Sequence, residues 1–356
     1  MNERANGPMG QLAAHLDRGW DLVAKGDFAG AMLSAEKSLE MDEGSPEAHN
    51  LIGYIFHAEG RSEEAIVHYQ TALELDESFV DAMLNAAEIL VHPMRDLDGA
   101  LTMVREALTW LEDAGVDERT DAMLLQADIH LMLGDRVSAK SVVRAIPDGP
   151  FENPRIALAV ARARLDVGDI DGALPLIRTA TEAERPSSDA FYYLGLALEV
   201  KKDRTGALIA FLQARELDGA SEPPPWTIPL PQFEKRVQSA LTKLPPKVSR
   251  LLEGALVVVT DLPGAEVVAE GVDPRMPALL DALSEPDKPA RVGRVFIYKR
   301  NIERMAPGMF ELDAEVARAL IHEVEATFPG GVLRLPTKPD RAPEATEVEA
   351  DPAGDA

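Results

Sequence analysis

The 356-residue chain contains no cysteine. That excludes disulfides, thiolate metal sites and a cysteine nucleophile, and it fits a reducing compartment. No apolar run approaches the roughly 18 residues that a membrane-spanning helix needs. The opening Met-Asn-Glu-Arg-Ala-Asn-Gly-Pro lacks the basic-then-apolar order of a secretion signal. A cytoplasmic location without a membrane span is expected. No phosphate-cradling glycine loop or nucleophile elbow occurs, and no cofactor is expected. Basic residues are scarce, with 36 Lys and Arg against 61 Asp and Glu. The shortage is local: residues 12–221 hold 19 basic against 38 acidic side chains, whereas residues 222–339 hold 15 against 16. An acidic surface repels phosphate backbones and steers a protein with a basic patch, so the expected partner is a protein and not nucleic acid. Keeping a long array soluble is a second use for the same charge.

What is present is apolar and periodic. Hydrophobic residues make up 46% of the chain, enough for two or three packed domains. Gly26, Gly60, Gly134 and Gly168 each stand five residues before a small residue: Ala31, Ala65, Ala139 and Ala173. Ala100 and Ala207 keep the flanking pattern without the glycine. The six alanines are separated by 34, 35, 39, 34 and 34 residues. The second unit has Gly53, Phe56, Ala65, Tyr69 and Ala72, and the sixth Leu194, Gly195, Leu198, Ala207, Phe211 and Ala214. A period near 34 with these small and aromatic positions resembles the tetratricopeptide repeat (TPR) family.

The resemblance implies a mainly α protein, an α-solenoid of about six helix pairs over residues 12–221. Small residues let helix A of a pair cross helix B closely, and an aromatic fills the gap beside them. The longer third spacing implies a lengthened turn near Glu112 and Arg119. Family geometry places Trp20, Asn50, Tyr54, Asn85, Ile89, Leu124, Asp128, Arg162 and Tyr192 along a concave, helix A-lined groove that captures a partner protein. Trp20 and Tyr54 also suit packing between neighbouring helices. The lysines and arginines of the family's chaperone-tail clamp are missing, so an acidic C-terminal peptide is not the expected ligand.

Residues 222–231, Glu-Pro-Pro-Pro-Trp-Thr-Ile-Pro-Leu-Pro, are too rich in proline for a helix and mark a linker. Phe233, Val237, Ala240, Leu241 and Leu244 then fall at helical spacing, and residues 255–260 and 294–299 form strands. Residues 279–283 are expected as helix, and residues 313–328 as a long one. Residues 1–11 are expected to be flexible. The acidic, proline-bearing residues 337–356 are expected to be disordered.

Five stretches in order, residues 233–252, Val257-Val-Val-Thr-Asp-Leu-Pro, Glu270-Gly-Val-Asp-Pro, Val295-Phe-Ile-Tyr-Lys-Arg-Asn-Ile-Glu and residues 315–328, resemble the small bacterial zincin-like metallopeptidase family. A small α+β zincin-like domain over residues 232–336 is implied. That family's last helix carries His-Glu-x-x-His, where two histidines four apart hold zinc and the glutamate activates water. Here His322 and Glu323 match, but Ala326 and Thr327 replace the following histidines. The expectation is a pseudoenzyme with no metal and no catalytic residue. Glu325 is the one substitute ligand nearby, and it keeps open a peptidase with non-standard ligands. The other six histidines, His15, His49, His57, His68, His92 and His130, lie in the repeats and are expected to pack.

Two modules of this kind imply an interaction adaptor or regulatory scaffold, the second module docking or modulating. A third reading makes the C-terminal domain a cap on the array. Arg291, Arg294, Lys299, Arg300 and Arg304 form a basic cluster that is a solvated face, or meets the acidic array within the molecule or in a neighbouring copy, or binds an acidic partner.

Overall fold

The computed structural model describes residues 8–283 and 291–328. The flexible start and the acidic tail expected above lie wholly or partly outside these residues, as does Pro329. The chain divides into two compact units, residues 1–210 and 211–356.

The first unit is built from antiparallel helix pairs: α1 (Pro8–Ala24) with α2 (Phe28–Met41), α3 (Pro46–Ala58) with α4 (Ser62–Leu75), and α5 (Val80–Val91) with α6 (Leu97–Trp110). They continue with α7 (Val116–Met132) and α8 (Arg136–Ala145), α9 (Pro154–Asp166) and α10 (Ile170–Thr181), and α11 (Ser188–Val200). The last helix, α12 (Arg204–Ala220), begins in this unit and ends in the second. Ala31, Ala65, Ala100, Ala139 and Ala173 are fully buried and Ala207 nearly so, which makes the 34-residue period a record of where helices cross. A methyl on Gly53 would lie 2.6 Å from Cε1 of Tyr69, itself fully buried, so this glycine and this aromatic fit each other as one contact.

Each pair turns through one left-handed residue. Gly26, Gly60, Gly134 and Gly168 have φ of 74°, 79°, 77° and 81° there. In the two pairs without the glycine the same position is taken by Arg95 (φ 61°) and Lys202 (φ 64°). A Cβ in that region costs roughly 1–2 kcal/mol, and glycine's extra freedom in the unfolded chain gives back roughly 0.5–1. Arg95→Gly and Lys202→Gly are therefore each expected to raise stability by about 0.5–1 kcal/mol. A shift of the urea midpoint at constant slope checks this.

The turns also carry a signal not read from the sequence. Asp27, Asp96, Asp135, Asp169 and Asp203 each accept the backbone N–H three residues on, at 2.9 to 3.2 Å. They cap the second helix of five pairs, each cap contributing about 1 kcal/mol. Arg61 occupies the place in the remaining pair and makes no such bond. The surplus residues of the third spacing correct the expected long turn. They extend α7, which has 17 residues where α3 has 13.

The second unit contains α13 (Leu230–Thr242), α14 (Pro246–Leu251), β1 (Leu256–Thr260), α15 (Ala265–Ala269), β2 (Ala278–Leu283), β3 (Arg291–Tyr298), α16 (Lys299–Met305) and α17 (Leu312–Thr327). The sheet order is β1-β3-β2, with β1 parallel and β2 antiparallel to β3. Residues 279–283 are thus strand and not helix. Ala-Leu-Leu-Asp-Ala-Leu has no β-branched residue to announce a strand, and β3 supplies the backbone partners that decide it. Alternation then sends Ala278 and Leu280 inward, while Asp281 pairs with Arg294 across the ladder at 2.7 Å.

Phe233, Val237 and Ala240 of α13, Val316, Leu320 and Val324 of α17, and Val295 and Ile297 of β3 form one core. Asp313 ties α17 to α13 by accepting from Ser239 Oγ (2.7 Å), Lys243 Nζ (3.2 Å) and Arg236 Nη1 (3.4 Å). Partial burial opposes ionisation there, yet these partners hold its carboxyl below the usual range.

Candidate functional site

Two places carry the chemistry expected from the sequence: the helix A rows of the first unit and α17 of the second. In the first unit, equivalent residues of successive pairs touch. Trp20 on α1 meets Tyr54 on α3 edge to face, with centroids 5.2 Å apart and planes at 68°. Asn85 Nδ2 on α5 donates to Asn50 Oδ1 on α3 at 3.0 Å. Arg162 on α9 pairs with Asp128 on α7 at 2.8 Å and lies 3.7 Å from Asp166. Tyr192 on α11 lies against Tyr193, centroids 6.0 Å apart. Trp20 and Arg162 are exposed, while Tyr54, Asn85, Asp128 and Tyr192 are half-buried. The Arg162–Asp128 pair is open enough to water to contribute under about 1 kcal/mol to folding.

Three of the nine expected groove residues sit differently. Ile89 is fully buried in the core with Ala86, Tyr69 and Ala72, and Leu124 is buried with Val143 and Val160. Their side chains are apolar and close at hand to a neighbouring helix, so they pack and do not line a surface. Asn50 is 3% exposed and serves as the acceptor for Asn85.

The structure also brings together two histidines that the sequence did not pair. His49 on α3 and His68 on α4 stand with Nδ1 atoms 3.1 Å apart. Their separation of 19 residues crosses two helices and matches no ligand spacing on one helix.

On α17, His322 is exposed and Glu323 is 9% exposed. Glu323 Oε1 faces the backbone N–H of Leu280 on β2 and the Thr327 hydroxyl, each at 3.5 Å. Burial pushes its carboxyl above the usual range, opposed by Leu280, His322 and Thr327. Ala326 and Glu325 are exposed beside His322. A catalytic zinc needs three protein donors and water. The face of α17 that would meet it offers His322, a methyl at Ala326 and a solvated Glu325. Among the described residues, no group of three His, Asp or Glu side chains could hold a metal. The donor set does not fit zinc.

The basic cluster is engaged within the second unit. Lys299 Nζ lies 2.7 Å from both Glu303 Oε1 and Thr227 Oγ1, with both ions of the pair buried. Arg304 pairs with Asp218 at 2.6 Å, Arg300 donates to the Asp218 carbonyl, and Arg294 holds Asp281. These four are therefore not a free basic face; the side chain of Arg291 lies outside the described residues. Asp218, 2% exposed, also receives Arg275 at 3.0 and 3.3 Å.

Family models agree with both halves. Tetratricopeptide repeat models match residues 53–91 and 158–222, and a zincin-like metallopeptidase model matches residues 252–332. The chain therefore carries TPR repeats followed by a zincin-like metallopeptidase domain. Among solved structures, Pseudomonas aeruginosa PilF is 20% identical, the match covering 61% of this chain and 96% of PilF at a TM-score of 0.50. PilW, described as a widely conserved type IV pilus biogenesis factor, is 15% identical over 59% of this chain and 95% of its own, at 0.49. The likeness to PilF is one of fold. No curated protein matches the chain. No described helix is long and apolar enough to cross a membrane.

Proposed function

We propose that the chain is a protein-interaction adaptor whose TPR rows capture a partner protein, and whose zincin-like domain is a pseudoenzyme used as a second docking or modulating module. The observation that carries this reading is the repeat-to-repeat contact of Trp20 with Tyr54, Asn50 with Asn85, and Asp128 with Arg162. Trp20 and Tyr54 offer stacking area, the part-exposed Asn85 amide, oriented by buried Asn50, offers backbone grip, and Asp128 with Arg162 offers polarity, as peptide or helix recognition needs. The acidic excess of residues 12–221 favours a partner with a basic patch. The missing donor at Ala326 supports the pseudoenzyme half of the proposal.

The double variant Tyr54→Ala with Asn85→Ala is expected to abolish retention of the partner that wild-type chain captures from its own cell. Thermal stability should fall only slightly, because half-exposed contacts contribute little to folding. Unfolding of the double variant, or retention unchanged in a folded one, would return these side chains to a packing role.

A further inference from the structure

His49 and His68 meet on the flank of the second helix pair. Their Nδ1 atoms are 3.1 Å apart, and the rings stack with centroids at 5.4 Å and planes at 29°. Phe56 lies 5.4 Å from His68, so the pair has an apolar neighbour, yet neither imidazole is fully buried. As neutral rings they satisfy each other with one shared proton, N–H to N. We infer that this pair is a binding site for a late first-row divalent cation such as nickel, copper or zinc, which takes the place of that proton between the two Nδ1 atoms while the donor ring carries the proton on Nε2 instead.

The distance carries the argument. A cation about 2.0–2.1 Å from each imidazole nitrogen would subtend an angle of about 98° at nitrogens 3.1 Å apart. That lies between the roughly 90° of a tetragonal site and the roughly 109° of a tetrahedral one. Neither nitrogen has to move; the rings need only tilt so that both lone pairs point off the line joining them. The two side chains come from adjacent antiparallel helices locked by the Gly53–Tyr69 contact, so the bite is set by the fold.

The surroundings favour the ligating form. Burial lowers the pKa of His49, opposed by the Glu43 backbone carbonyl, which raises it as an acceptor for the protonated ring. Burial and then His49 lower the pKa of His68. The acidic excess of residues 12–221 raises the local concentration of cations. With two protein donors, water fills the other positions, which makes the site exchangeable and not structural. It lies in the first unit, remote in sequence from His322, and stands independently of the pseudoenzyme reading.

The test is calorimetric titration of nickel chloride into the full chain in a non-coordinating buffer, repeated with His49→Gln, His68→Gln and His322→Gln. One saturable site per chain is expected, weakened by roughly tenfold or more in each of the first two variants and unchanged in the third. Nickel should raise the melting temperature of wild-type chain and leave that of the first two variants in place. One equivalent of copper(II) on the wild-type chain should give electron paramagnetic resonance hyperfine structure from two nitrogens, a readout that needs no variant to fold. Absence of saturable binding, or binding indifferent to His49 and His68, would overturn the inference. Binding lost only in His322→Gln would overturn it and the pseudoenzyme proposal together.

Discussion

Asp218→Ala is expected to destabilise the second unit by about 3–5 kcal/mol, the cost of leaving buried charge without its counterpart. Asp218 is 2% exposed and receives Arg275 through two nitrogens and Arg304 through a third. Arg275 is itself largely buried, so its guanidinium cannot simply turn to water when the carboxylate is removed. The loss should appear as an earlier urea transition of the second unit. Asp218→Asn, which keeps the shape and some hydrogen bonding, should lose less. A change under about 1 kcal/mol for Asp218→Ala would show that the arginines repartner freely, as at an exposed ion pair.

Gly53→Val should cost about 2–3 kcal/mol and loosen the second helix pair, because its first added carbon falls 2.6 Å from the Tyr69 ring. The ring is fully buried and has nowhere to swing. Trimming it with Tyr69→Leu makes room, so the double variant should be more stable than the sum of the two singles by about 1 kcal/mol or more. Strict additivity, measured by denaturant unfolding, would mean that the two residues are not each other's packing partners. The same loosening should weaken nickel binding at His49 and His68, which the two helices hold in register.

The repeat array was legible because close helix crossing leaves a residue type behind: alanine at Ala31, Ala65, Ala100, Ala139, Ala173 and Ala207, all at the crossing points. Strand β3 and helix α17 were legible for a similar reason, since β-branched runs and a 3.6-residue apolar stripe each imply one local structure. Strand β2 was not, because its pairing is decided by β3 and not by its own composition. The left-handed Arg95 and Lys202 escaped because the glycine that marks the position elsewhere is missing. Burial at the expected groove positions was not legible. Repeat spacing places Ile89 and Leu124 near helix A's inner face, but an apolar side chain there turns into the core, where Asn85 and Asp128 stay part-exposed. Pairing of the basic cluster within the molecule was one of the readings the sequence allowed, but the particular partners Asp218, Asp281 and Glu303 were not legible, because folding and not spacing selects them. At α17 the replacement at Ala326 was plain in the sequence, but the approach of Glu323 to the Leu280 backbone on β2 was not, because that partner lies 43 residues away.

The central claim, a zincin-like domain without peptidase zinc, is tested most directly by counting zinc. The chain should carry His49→Gln and His68→Gln so that only the second unit is sampled, and be dialysed against zinc and then against metal-free buffer. Well under one zinc per chain is expected by elemental analysis, with no cleavage of a mixed peptide pool. One zinc per chain that disappears with His322→Ala, together with cleavage that disappears with Glu323→Gln, would contradict it and make the domain a working metallopeptidase.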